Sequence, residues 1–162
     1  MNTTAGTFAA VAIALEIGHH VGDYWVQTDH QAKHKGEHGH AGRRACLAHV
    51  VSYMLTQWVL LEVASVALGL HLSFWGTSGA LAVSGITHYM ADRREYGAMF
   101  ALARRIPGKA AFMKLGVPRK SEIWDGRSYD DNPQLATGAW ALDQSWHLLW
   151  GVFVAALLAV LL

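Results

Sequence analysis

Apolar residues recur in four long blocks, roughly 7–25, 46–70, 74–90 and 138–162, separated by polar stretches. About 20 residues at 1.5 Å rise cross the hydrocarbon core of a bilayer, so each block predicts a transmembrane helix. The last block is the purest and ends GVFVAALLAVLL; the third is short, and polar residues interrupt the first. An apolar run with no polar face has no place to sit in a soluble domain this small. The expectation is an all-α fold. It is a four-helix transmembrane bundle of up-down topology, one domain over residues 1–162, with loops at 26–45 and 91–137. The N-terminal run lacks the basic segment of a signal peptide and is expected to stay in the mature protein.

Charge refines the picture. The chain is 52% apolar and 15% charged, against about 25% charged in ordinary soluble domains. All thirteen Lys and Arg fall in the two loops: Lys33, Lys35, Arg43 and Arg44 in the first, the other nine in the second. The positive-inside rule places both loops in the cytoplasm and both termini outside, in a bacterial inner membrane. Tyr24, Trp25 and Trp140 fit the inner aromatic belt, and Trp75 the outer. A single cysteine, Cys46, excludes an internal disulfide and any Cys-rich zinc module. No nucleic-acid fingerprint occurs, and a homo-oligomer remains open. In the long loop, REYGAMFALARRI suits a short amphipathic helix on the cytoplasmic leaflet, and SEIWDGRSYDDNP is turn-rich.

Three blocks carry a His and an Asp four residues apart: His19 and Asp23, His88 and Asp92, and, in reverse order, Asp143 and His147. The second block adds a lone His49. Residues four apart on a helix have Cβ atoms about 5–6 Å apart, close enough to share a cation or two neighbouring cations. The reversed order is what antiparallel helices require to bring all seven side chains to one depth near the cytoplasmic end. Ionisable groups inside a membrane are expensive and functional by default. Four imidazoles and three carboxylates suit a divalent transition metal, zinc or iron, and are numerous enough for a dinuclear site.

Other residues stand near this constellation. Glu16, three residues before His19, is a candidate for proton transfer or for orienting a ligand. Asp143 is a candidate general base as well as a ligand. Gln27 and Gln144 are placed to donate to ligand carboxylates, and Tyr53 lies one turn beyond His49. Gly76, Ala80, Ser84, His88 and Asp92 form one stripe whose small residues allow close helix approach. His30, His34, His38 and His40 make the first loop His-rich, a composition that can hand over metal. Arg43-Arg44 and Arg93-Arg94 flank the expected mouth, where they serve topology and are also suited to an anionic head group. Glu62 falls too far along the second block to take part.

GHHVGDYWVQTD, AHVVSY, THYMADR and ALDQSWH resemble the motifs of a bacterial and phage membrane family, domain of unknown function 3307. The matching positions are His19, Asp23, Gln27, Asp29, His49, Tyr53, His88, Asp92, Asp143, Gln144 and His147. The resemblance touches all four blocks. It implies a membrane protein with one shared site and names no reaction. The function expected from the residues is metal-dependent hydrolysis of an amphiphilic or lipid substrate at the cytoplasmic interface. A di-iron oxidase or oxygenase is the alternative, and a metal-ion or proton transporter a third.

Overall fold

The computed structural model describes residues 3–115 and 138–162. Among these the chain is helical, with no strand. Helix α1 (Thr4–Val21) runs without a break into a π-helical turn, Gly22–Val26. A capping box then restarts the chain: the Thr28 hydroxyl accepts from the Gln31 amide while the Gln31 side chain accepts from the Thr28 amide, opening α2 (Asp29–His34). Helix α3 (Gly39–Leu68) is the longest at 30 residues. It stops at Gly69, whose left-handed φ of 62° lets its amide reach back to the Ser65 carbonyl. Four residues later Ser73 caps α4 (Phe74–Asp92) by accepting from the Gly76 amide at 2.8 Å.

A 3₁₀ turn (Arg94–Tyr96), α5 (Ala98–Ala103) and α6 (Lys109–Phe112) follow. The expected amphipathic helix over REYGAMFALARRI is therefore broken, because Gly97 stands extended at φ −95° and caps α5 afresh. The turn-rich SEIWDGRSYDDNP lies outside the described residues. The fourth rod is α7 (Gly138–Trp146), a π-helical stretch (His147–Val154) and α8 (Ala155–Leu161), continuous end to end. The first loop is more ordered than a plain connection, since α2 fills part of it and α3 begins well before residue 46.

The four long rods pack in a closed ring: α1 on α3, α3 on α4, α4 on the fourth rod, and the fourth rod back on α1. Where α4 meets α8 the backbones nearly touch; a Cβ at Gly76 would lie 2.8 Å from the Ala159 carbonyl oxygen. Val11, Leu15, Leu61, Ala80, Val152, Ala155 and Ala156 form the apolar core of one half. Beyond it the interior turns polar, with His19, His49, Gln57, Ser84, His88 and His147 all buried. The outer faces are the reverse. Ile13 and Ile17 on α1, Val59 and Val66 on α3, Phe74 and Ile86 on α4, and Leu149 and Phe153 on the fourth rod are exposed. Two rods, Gly39–Leu68 and Gly138–Leu161, are long and apolar enough to cross a membrane.

Candidate metal centre

All seven predicted ligands meet in one layer. His19 closes α1 and Asp23 sits in the π-helical turn after it. His49 comes from the N-terminal half of α3, His88 and Asp92 from the end of α4, and Asp143 and His147 from the first half of the fourth rod. The four imidazoles are at most 2% exposed, so bulk water does not solvate them. Tyr53, His88, His147 and His19 are packed ring against ring, with successive centroids 3.9, 4.3 and 4.8 Å apart.

The tightest set is His49 Nε2, His88 Nε2, Asp23 Oδ1 and Asp92 Oδ2. The two nitrogens are 2.9 Å apart. His49 Nε2 lies 3.1 Å from Asp23 and 3.2 Å from Asp92; His88 Nε2 lies 3.3 and 3.1 Å from the same oxygens. A tetrahedral ion with bonds of about 2.0–2.1 Å sets neighbouring ligand atoms about 3.3–3.4 Å apart. The spacings among His49, His88 and Asp23 come close to those edges, slightly contracted, with Asp92 Oδ2 on the far side of the imidazole pair. Each imidazole nitrogen has at most one proton, so the pair cannot satisfy two carboxylates and each other by hydrogen bonds alone.

A second set lies beside the first. His19, His88 and His147 offer nitrogens within 4.8 Å of one another, as do Asp92, Asp143 and His147 through one ligand atom each. His19 Nε2 is 3.8 Å from Asp23 Oδ2, and His147 Nε2 is 3.6 Å from Asp143 Oδ2. These separations are too long for hydrogen bonds. Both ring nitrogens of His19 and of His147 are buried without a partner among the described residues. Buried polar atoms left this way cost about 1–3 kcal/mol each. Asp23 turns Oδ1 to His49 and His88 and Oδ2 toward His19.

The two loose pairs have a backbone cause. His88 and Asp92 share the regular α-helix α4 and meet at 3.1 Å. His19–Asp23 straddles the α-to-π transition, and His147 opens the second π-helical stretch. A π turn widens the helix, so residues four apart no longer stand one above the other. Gly22 lets α3 approach closely at the first of these turns, since a Cβ there would meet the Tyr53 ring at 2.9 Å.

Sequence reasoning missed the residues that hold this layer. Lys35 is buried and its ammonium pairs with Asp92 Oδ1 at 2.8 Å, leaving Oδ2 for the imidazoles. Arg93 is also buried, and its guanidinium donates to the carbonyls of Lys35 and Glu37, each at 2.7 Å. Both had read as topogenic surface charge. Tyr53, Ser84 and Gln57 close a hydrogen-bonded triangle beneath the His layer. Ser84 donates to Gln57 Oε1 at 2.7 Å, Gln57 Nε2 donates to the Tyr53 oxygen at 2.9 Å, and the two hydroxyls are 3.0 Å apart. Gln57 Nε2 also donates to the Leu15 carbonyl at 3.3 Å, so Tyr53→Phe strands one of its two N–H groups in a fully buried site. It should cost about 1–3 kcal/mol, read by denaturant unfolding in detergent; an unchanged midpoint overturns the assignment.

Several expectations are corrected. Glu16 turns outward and pairs with the exposed His20 at 3.1 Å rather than with His19. The α-helical 100° step explains this: Glu16 and His19 are neighbours in projection, yet the interior face ends between them. Gln144 donates to Asp143 Oδ2 at 3.2 Å as expected, whereas Gln27 Nε2 is buried without a partner. Cys46 is buried in the helix interior. In the His-rich loop, His30 and His34 stack at 4.3 Å, and His34 Nδ1 engages the His30 carbonyl rather than the layer. Arg43 and Arg44 are exposed, while Glu62 stays outside, on an exposed face of α3.

A cavity of about 840 Å³ opens against this layer. Asp23, Asp92 and Asp143 form its floor, and Lys35, Arg94, Arg104, Phe100 and Trp140 stand on its walls. One family model, described as Protein of unknown function (DUF3307), matches residues 11–162. No curated protein and no solved structure matches the chain.

Proposed function

We propose the following for this chain, which belongs to the DUF3307 family: it is a four-span membrane protein and a metal-dependent hydrolase of amphiphiles, with its site open to the cytoplasmic interface. The observation that supports the chemistry is the convergence of buried imidazoles and carboxylates from four rods, with both ring nitrogens of His19 and of His147, Asp23 Oδ1 and Asp92 Oδ2 left without hydrogen-bond partners among the described residues. Gluing the helices together needs hydrogen bonds, and the His19 and His147 pairs do not make them. The membrane part rests on the inside-out distribution of side chains. Every rod, including the two that are less apolar along their length, turns aliphatic and aromatic groups outward and one buried imidazole inward (His19, His49, His88 and His147).

A bound divalent ion supplies a water of lowered pKa, near about 7 for zinc, and polarises the bond to be cleaved. The chain's own groups do the rest. His49 and His88 with Asp23 would hold one ion; His147, with His19 on one side and with Asp92 and Asp143 on the other, would hold a second. Lys35 fixes the Asp92 carboxylate, and Tyr53 backs the His88 ring. Asp143, with its side chain 22% exposed on the cavity floor, is the carboxylate placed to take a proton from an attacking water. The apolar cluster from Val11 to Ala159 closes the opposite end of the bundle, which disfavours a transport path.

The test is metal-dependent turnover. Chelated protein in micelles, refilled separately with Zn²⁺, Mn²⁺ or Fe²⁺, should cleave short-chain chromogenic esters, amides or phosphate esters only when refilled. Oxygen uptake by the iron form, without cleavage, establishes the oxidase instead. No metal uptake at all rejects both.

A further inference from the structure

We infer that the cavity receives a lipid whose head group carries a phosphate monoester. The inference rests on the metal reading for which end of the cavity reacts, and on separate residues for what is bound. Four cations stand on the walls. Lys35 is committed to Asp92, and Arg104 to Glu95. Arg94 and Lys114 line the same cavity, and among the described residues neither has an ion-pair partner. The three carboxylates of the floor belong to the ligand sets, so among the described residues the rim keeps two positive charges without a paired carboxylate. A phosphate monoester carries about −1.5 to −2 at pH 7, which two cations match and a lone carboxylate does not.

Arg94 is also held in an unusual backbone state. Its φ is 48°, left-handed for a non-glycine residue, a conformation that costs about 1–2 kcal/mol. The side chain lies across Gly36, where a Cβ would stand 2.8 Å from Arg94 Cδ. The bend and the missing side chain together bring the guanidinium to the cavity wall. Phosphate binding is what arginine's planar fork favours.

The rest of the wall explains why the phosphate comes attached to something apolar. Phe100, Met113, Ala139 and Trp140 line the cavity, and its volume lies within the range that encloses a drug-sized ligand. An inorganic phosphate fills a small part of it and leaves those surfaces wet.

Calorimetric titration of purified protein in detergent tests this with three probes: dioctanoyl phosphatidic acid, dioctanoyl phosphatidylcholine and inorganic phosphate. The wild type should bind the first more tightly than either of the others. Arg94→Gln with Lys114→Gln should weaken that binding at least about tenfold, the range for losing charge-assisted hydrogen bonds. Both residues are exposed, so the fold is expected to survive; helical circular dichroism checks it, and each single substitution is measured beside the double. Equal binding of the phosphocholine lipid, equal binding of free phosphate, no binding, or an unaffected double variant overturns the inference. Metal content is determined on the same samples. Metal without phosphate-lipid selectivity removes this inference alone, and selectivity without metal removes the hydrolase reading while leaving the lipid site.

Discussion

His88→Ala, purified beside the wild type, should retain only trace transition metal where the wild type is stoichiometric. His88 has the largest stake of any residue in the layer. Its Nε2 lies within 3.3 Å of three other ligand atoms, and it belongs to both ligand groups that contain more than one imidazole. Its ring also lies between Tyr53 and His147, so truncation opens a gap that lets neighbours drift. His20→Ala is the control, since His20 neighbours His19 in sequence yet pairs outside with Glu16. Asp143→Ala should keep part of the metal and lose turnover, because its oxygen stands 3.6 Å from His147 on the cavity floor. Equal metal in the wild type and His88→Ala, or equal loss in His20→Ala, would remove the centre from consideration.

The second large effect concerns stability. Asp92→Ala, measured with chelator present so that metal plays no part, should lower unfolding free energy by about 3–5 kcal/mol. The pair it breaks is 10% exposed on Lys35 and 8% on Asp92, so the ammonium is left without a partner in a place water barely reaches. Breaking one side of a buried pair is worse than removing both, because the surviving charge keeps its desolvation cost. Lys35→Met introduced into Asp92→Ala should therefore recover more than half of the loss. Denaturant unfolding in micelles of the four proteins of this cycle gives the answer. A double variant no more stable than Asp92→Ala would show that Lys35 is not held by that carboxylate.

How far the sequence revealed this arrangement depends on the kind of interaction. Local spacing and helix direction sufficed to bring His19, Asp23, His49, His88, Asp92, Asp143 and His147 to one level, because both follow from 3.6 residues per turn and an antiparallel path. The stripe from Gly76 to Asp92 was readable for the same reason. Lys35 and Arg93 were not, since their contacts span more than fifty residues and their charge already had a topological explanation. Gln57 and Ser84 join through three separate positions whose side chains meet only once α3 and α4 are packed. Glu16 was misplaced by a narrow angular margin at the edge of the interior face. The two π-helical stretches leave no compositional mark, so the loosening of two of the three His–Asp pairs was invisible.

The widened stretch His147–Val154 sets two parts of one rod out of phase. A π turn accommodates an extra residue, and one residue corresponds to about 100° of rotation. Ala155, Ala156 and Ala159 keep their seats against α1 and α4, while Asp143 lines the cavity and His147 lies in the imidazole layer. Deleting Leu148, an exposed residue of that stretch, should let the rod rewind and swing one part relative to the other. The alanine seam anchors its own part, so Asp143 and His147 are the groups that would turn toward the outer face of the bundle. The protein's anchoring and its chemistry are thus clutched, with slack stored in a single backbone defect.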